Sequence, residues 1–119
     1  MSTSSVQGIK TVLHPVSDVE QAKAVYTALL GIEPQADSAY YVGFDVAGQH
    51  IGLVPGGGPQ GLTSPVAYWH VDDIDTKLAE VTAAGATIKD PANEVGGGRV
   101  VASVMDLDGN VLGLIQDKA

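Results

Sequence analysis

At 119 residues the chain can build one cored domain but not two, and 45% apolar residues against 17% charged ones place it outside the disordered regime. Fourteen acidic residues against six basic ones give a net charge of -8, which repels phosphate backbones and anionic headgroups. Nucleic acid and membrane surfaces are therefore excluded as partners. The absence of cysteine removes disulfides, thiolate nucleophiles and Cys-based zinc sites, leaving three His and the carboxylates as side-chain metal donors. No apolar run approaches the ~18 residues of a membrane span. Met1-Ser2-Thr3-Ser4-Ser5 lacks the basic and apolar regions of a secretory signal, so a cytoplasmic location is expected.

In chain order, a short apolar strand from Ile9 to Leu13 leads into a helix over 18–30. Val19, Ala22, Tyr26, Leu29 and Leu30 fall on one face of that helix, Ser17 and Glu20 supply its cap and first-turn charge, and Gly31 stops it. An alternating pattern then gives strands over 40–46 and 50–54 around an Ala47-Gly48 turn, and a Gly-rich stretch over 56–64 follows as a linker. Val66 to Trp69 starts the sequence of elements again. A second helix over 73–84 buries Ile74, Leu78 and Val81, with Asp72 and Asp75 at its start and Gly85 at its end. After a loop over 91–98, strands over 98–105 and 111–115 flank an Asp108-Gly109-Asn110 turn.

The two halves repeat one pattern. Val16-Ser17-Asp18-Val19 returns as Val71-Asp72-Asp73-Ile74, and Gly52-Leu53-Val54 returns as Gly113-Leu114-Ile115. These segments, HPVSDVEQAKAVYTALLG (14–31), YWHVDDIDTKLAEVTAAGA (68–86) and DLDGNVLGLIQ (106–116), resemble in order those of the vicinal oxygen chelate superfamily. That superfamily includes glyoxalase I, extradiol dioxygenases and bleomycin-resistance proteins. The resemblance implies an α+β fold, a single domain over 1–119 made of two tandem βαββ(β) modules that form a curved mixed sheet around a cavity. Module one would cover about 8–55, the linker 56–64 and module two about 65–117. It also implies a homodimer.

In the superfamily's metal-dependent members the ligands lie on the first and last strands of each module, which correspond here to Thr11, Gly52, Val66 and Gly113. Glycine and valine offer no donor, so no metal and no cofactor is expected at the standard site. If Thr11 faces the cavity, strand alternation brings Leu13, His50, Gly52, Tyr68, His70 and Gly113 to it as well. The glycines would then leave space for an organic group, with Tyr68 and the two imidazoles orienting it and Trp69 packed against the helices. This reading gives a metal-free binder of a planar or aromatic small molecule. The alternative is an enzyme of the same superfamily, a lyase, isomerase or dioxygenase-like protein. It would be metal-independent or would use an unusual site built from His50, His70 and a carboxylate such as Glu94.

Three other features have simpler explanations. His14 packs near the first helix, with Asp18 as its expected partner. Arg99, the single arginine, forms a surface ion pair. Gly56-Gly57-Gly58 and Gly96-Gly97-Gly98 lack the residue order of phosphate-binding loops.

Overall fold

The computed structural model describes residues 6–58, 61–95 and 97–117, so residues 1–5, 59–60, 96 and 118–119 lie outside the described residues. The chain divides into two compact units, one built from residues 10–66 and the other from residues 67–117 with 6–9. The first contains most of β1 (Val6–Val16), then α1 (Val19–Leu30), β2 (Ala36–Asp37), β3 (Val42–Val46) and β4 (Gln49–Pro55). Its strands lie in the order β2-β3-β4-β1, with β1 parallel to β4 and the other pairs antiparallel. The second contains β5 (Val66–Val71), α2 (Ile74–Ala83), β6 (Thr87–Glu94), β7 (Arg99–Met105) and β8 (Val111–Asp117). Here the order is β5-β8-β7-β6, and β5 is parallel to β8. Each unit is thus a mixed α+β module in which the first strand lies beside the last, a parallel pairing that the chain reaches through its helix.

Each helix covers one face of its own sheet. In the first module Val42, Phe44 and Leu53 form the core, and Val19, Ala22, Tyr26 and Leu30 pack on it from α1. Leu29, expected on that stripe, is 75% exposed instead, at the edge of the stripe in the last turn of the helix. In the second module Ile74 and Leu78 are buried in a cluster with Val71, Val100, Ala102, Val104 and Leu114, while Val81 and Trp69 pack against it. Val6, on the N-terminal end of β1, packs against the same cluster.

The helix caps sit one residue later than expected. Asp18 and Asp73 are the N-caps, each with a carboxylate oxygen accepting 3.1 Å from the amide three residues on, Gln21 and Thr76. Ser17 and Asp72 precede the caps, and the Asp72 carboxylate instead accepts from Gln7 Nε2 at 2.5 Å. At the other end of α1, Gly31 takes a left-handed φ of 74° that lets its N–H reach Thr27 O. After α2, the Gly85 N–H reaches Thr82 O and the Ala86 N–H reaches Val81 O, a Schellman arrangement that requires the positive φ of 118° at Gly85.

The strands differ from expectation in two places. Tyr40 and Tyr41 lie in a bend before β3, and the strand begins only at Val42. Residues 91–94, expected in a loop, complete β6, whose ladder to β7 shifts register between Ile88 and Asp90 and again before Asn93. Those bulges let a strand accommodate Pro91, whose nitrogen cannot donate to a ladder.

Candidate functional site

The face of each sheet opposite its helix carries most of the polar side chains. In the first module Thr11 is in register with His50, and Leu13 with Gly52, across the parallel β1–β4 pair. The hairpin then places Asp45 opposite His50 and Gly43 opposite Gly52. Two rows result, Thr11–His50–Asp45 and Leu13–Gly52–Gly43. In the second module one row runs across four strands from Tyr68 through Gly113 and Ser103 to Asp90. His70 lies on the same face, in register with Ile115.

His50 is engaged at both ring nitrogens. Its Nδ1 lies 2.7 Å from Asp45 Oδ1, and its Nε2 is hydrogen-bonded to the Tyr41 hydroxyl. With the exposed carboxylate accepting from Nδ1–H, Nε2 is left as the acceptor and Tyr41 donates to it. The His50 and Tyr41 ring planes are 12° apart, with centroids at 5.8 Å. Asp45 is itself placed by its backbone N–H, which donates to Gln35 Oε1 at 2.7 Å. Neither Tyr41 nor Asp45 was singled out from the sequence. The signal was present, since Ala47-Gly48 is a two-residue turn with φ of 54° and 76°, and such a turn fixes Asp45 opposite His50.

The glycines do not leave space. A Cβ at Gly52 would stand 2.6 Å from Leu13 Cδ2 and 2.8 Å from Tyr41 Cε1, and one at Gly113 would stand 2.6 Å from Tyr68 Cδ2. The expected room for an organic group is therefore taken by the protein's own tyrosines. Tyr68 is 2% exposed, and burial, followed by the charge of Asp90, raises the pKa of its phenol. Its ring fills the second module beside Gly113 instead of standing open to solvent. Asp90 in turn accepts from Ser103 Oγ at 2.7 Å, so the far end of this row is hydrogen-bonded internally.

The remaining candidates fall into separate groups. His70 Nδ1 lies 3.4 Å from Asp117 Oδ2, and Arg99 Nε lies 3.1 Å from Asp117 Oδ1, so one carboxylate serves both side chains. Asp117 was missed because β8 extends two residues beyond the strand read from the sequence. His14 is on the helix side of β1, its Nδ1 3.1 Å from the Tyr26 hydroxyl rather than paired with Asp18, which caps α1. Burial lowers its pKa from 6.5. Glu94 is exposed on β6, and Val66 is buried at the start of β5.

The sequence pattern of the Glyoxalase/Bleomycin resistance protein/Dioxygenase superfamily matches residues 8–114. The chain belongs to that superfamily. The glyoxalase-type fold is shared with methylmalonyl-CoA epimerase from Mycobacterium tuberculosis, at 16% identity and a TM-score of 0.77 over 100% of this chain and 93% of that one. It is also shared with the Mn(II)-bound glyoxalase from Novosphingobium aromaticivorans, at 22% identity and a TM-score of 0.72 over 98% of this chain and 41% of that one. A third similar structure is NAD-dependent benzaldehyde dehydrogenase from Legionella pneumophila, at 18% identity and a TM-score of 0.74 over 91% of this chain and 98% of that one. No curated protein sequence matches the chain.

The superfamily's metal does not fit the four corresponding positions. Thr11 is buried, Val66 has no donor, and side chains at 52 and 113 would collide with Tyr41 and Tyr68. Among the described residues no three His, Asp or Glu side chains are grouped to hold an ion, and this includes His50, His70 and Glu94. Among the same residues no helix is long and apolar enough to cross a membrane.

Proposed function

We propose that this glyoxalase-superfamily protein is a small-molecule binder that works without the superfamily's metal centre. One observation carries the reading: at Gly52 and Gly113, tyrosine rings occupy the volume that a ligating side chain would need. The ligand is a planar or aromatic molecule taken on the sheet faces opposite the helices. Thr11, Leu13, His50 and Gly52 present that face in the first module, and His70, Gly113 and the supporting ring of Tyr68 in the second. A cytoplasmic homodimer completes the proposal.

Metal titration tests it. Zn, Ni, Mn or Fe leaves the melting temperature of the purified protein unchanged. A folded-state site held at 100 times its Kd would add about 2.7 kcal/mol, a plainly visible shift. A rise of that size, abolished by His50→Ala or His70→Ala, would overturn the metal-free reading.

A second reading is an enzyme of the superfamily that transfers protons without a metal, and the Asp45–His50–Tyr41 hydrogen-bond chain favours it. Turnover that survives strong chelation and is lost in His50→Gln would select it over binding alone.

A further inference from the structure

Tyr41 is held by the fold as a ligand would be held. Its ring lies over Gly43 and Gly52, which face each other across the β3–β4 pair. Both are strand glycines without positive φ, so neither is there to relieve the backbone. What they supply is room. A Cβ at Gly43 would stand 2.8 Å from His50 Cε1 and 3.0 Å from Tyr41 Cε2, and one at Gly52 would meet the Tyr41 hydroxyl and ring edge. Leu13 forms an apolar wall beside this bare floor, its Cδ2 2.6 Å from where the Gly52 Cβ would be. At the far end His50 Nε2 accepts the phenol hydrogen, fixed in that role by Asp45 on Nδ1. A flat slot with one apolar wall and one acceptor backed by a carboxylate has the chemistry to recognise a flat ring bearing an O–H donor.

The present occupant lies outside the strand ladders. Tyr41 precedes the first ladder pair of β3, which is Val42 with Asp37, and β2 on the other side of the bend is two residues long. A backbone bond from Ser38 N to Tyr41 O and a bond from Tyr41 N to the Ser38 side-chain Oγ close a small surface bend, and the neighbouring Tyr40 is 85% exposed. Turning the Tyr41 side chain out of the slot breaks no strand pairing.

We infer that the slot over Gly43 and Gly52 is a binding subsite for a phenolic ring, and that Tyr41 keeps it filled until such a ring displaces it. The inference rests on the reading of the protein as a small-molecule binder and adds the chemical class of its ligand. Because Tyr41 competes for the slot, the apparent affinity for a phenol is reduced by the fraction of molecules in which Tyr41 is in place.

The experiment uses p-cresol, the tyrosine side chain as a free molecule, with toluene as its counterpart lacking the hydroxyl. Binding to the full chain is followed by calorimetry and by the His50 ring resonances. Tyr41→Ala should bind p-cresol about tenfold tighter than the unsubstituted protein and should bind toluene about tenfold more weakly than p-cresol. Adding His50→Ala should remove the difference between the two probes. Should Tyr41→Ala not fold, Tyr41→Phe decides, because its ring no longer bonds to His50 and p-cresol should displace it more readily. Equal p-cresol affinity in the unsubstituted and Tyr41 variants, no p-cresol binding in any of them, or toluene binding as well as p-cresol would each overturn the inference. The binder reading itself would survive if another class of small molecule bound and lost affinity in Leu13→Ala, whereas the phenol subsite would not.

Discussion

His14 illustrates how burial biases a side chain's charge. Its ring stands edge-on to Tyr26, with centroids 5.3 Å apart, and its Nδ1 lies 3.1 Å from the Tyr26 hydroxyl. Burial disfavours the charged ring and moves its pKa below the ordinary 6.5. The unfolded chain therefore takes up a proton on this residue at a higher pH than the folded one does. The stability it confers is complete above pH 6.5 and is lost as pH falls from there toward the folded pKa. The melting temperature should decline over that window, and His14→Gln, compared at the same pH values, should decline less. A parallel slope in the two proteins would show that other groups set the acid sensitivity. The sequence placed His14 near the first helix but paired it with Asp18, since proximity along the chain is readable and the contact with Tyr26, two turns into the helix, is not.

For the elements, the entry into α2 shows how a helix end is secured from two directions. Asp73 caps from within the chain, while Gln116 Oε1, from the distant strand β8, accepts the Ile74 N–H at 2.8 Å. Both amides belong to the first turn, which has no intrahelical acceptors. Asp73→Ala should cost about 1 kcal/mol in urea denaturation, the usual loss for a cap. Gln116→Ala should cost about the same, because it orphans one hydrogen bond. The helix, its buried stripe and its Gly85 stop were all legible as periodicity and punctuation. Gln116 was not, because nothing in the local pattern near 116 indicates a helix some forty residues earlier. Strand β6 was misread for a related reason: Asp90-Pro91-Ala92-Asn93 has loop composition, and only the pairing with β7 makes it a bulged strand.

In the whole molecule, the internal repeat was the most legible feature. It predicted two modules of a strand, a helix and further strands, and the structure has both, adding that the first strand of each lies against its last. The chemistry on the sheet faces was less legible because each row draws on several strands, and one element of the best-defined row, Tyr41, comes from a bend instead of a strand. The outer strands carry their own protection. β2 is only two residues long, and β6 combines two register shifts with Pro91 and Lys89, features that discourage a foreign strand from adding to the edge. The proposed homodimer would therefore form through surfaces other than these edges. Pro91→Thr restores a donor to the edge and should increase association during prolonged warm incubation, followed by light scattering. An unchanged scattering trace would assign the protection to the bulges alone.

The tyrosines beside the strand glycines also bear on the order in which substitutions can accumulate. Gly52→Glu, made first, drives its Cβ into Tyr41 and Leu13. Made after Tyr41→Ala, the same change is relieved of the Tyr41 ring and meets the flexible end of Leu13. The two routes to one double variant are therefore unequal, and the effects of neighbouring substitutions do not add. At Gly113 the barrier is higher, because Tyr68 is buried and cannot turn aside as Tyr41 can. Divergence between ion-holding and ion-free descendants of this architecture is thus directional: at Gly113 an acidic side chain follows the loss of the aromatic one, and at Gly52 it requires Tyr41 to be lost or turned aside.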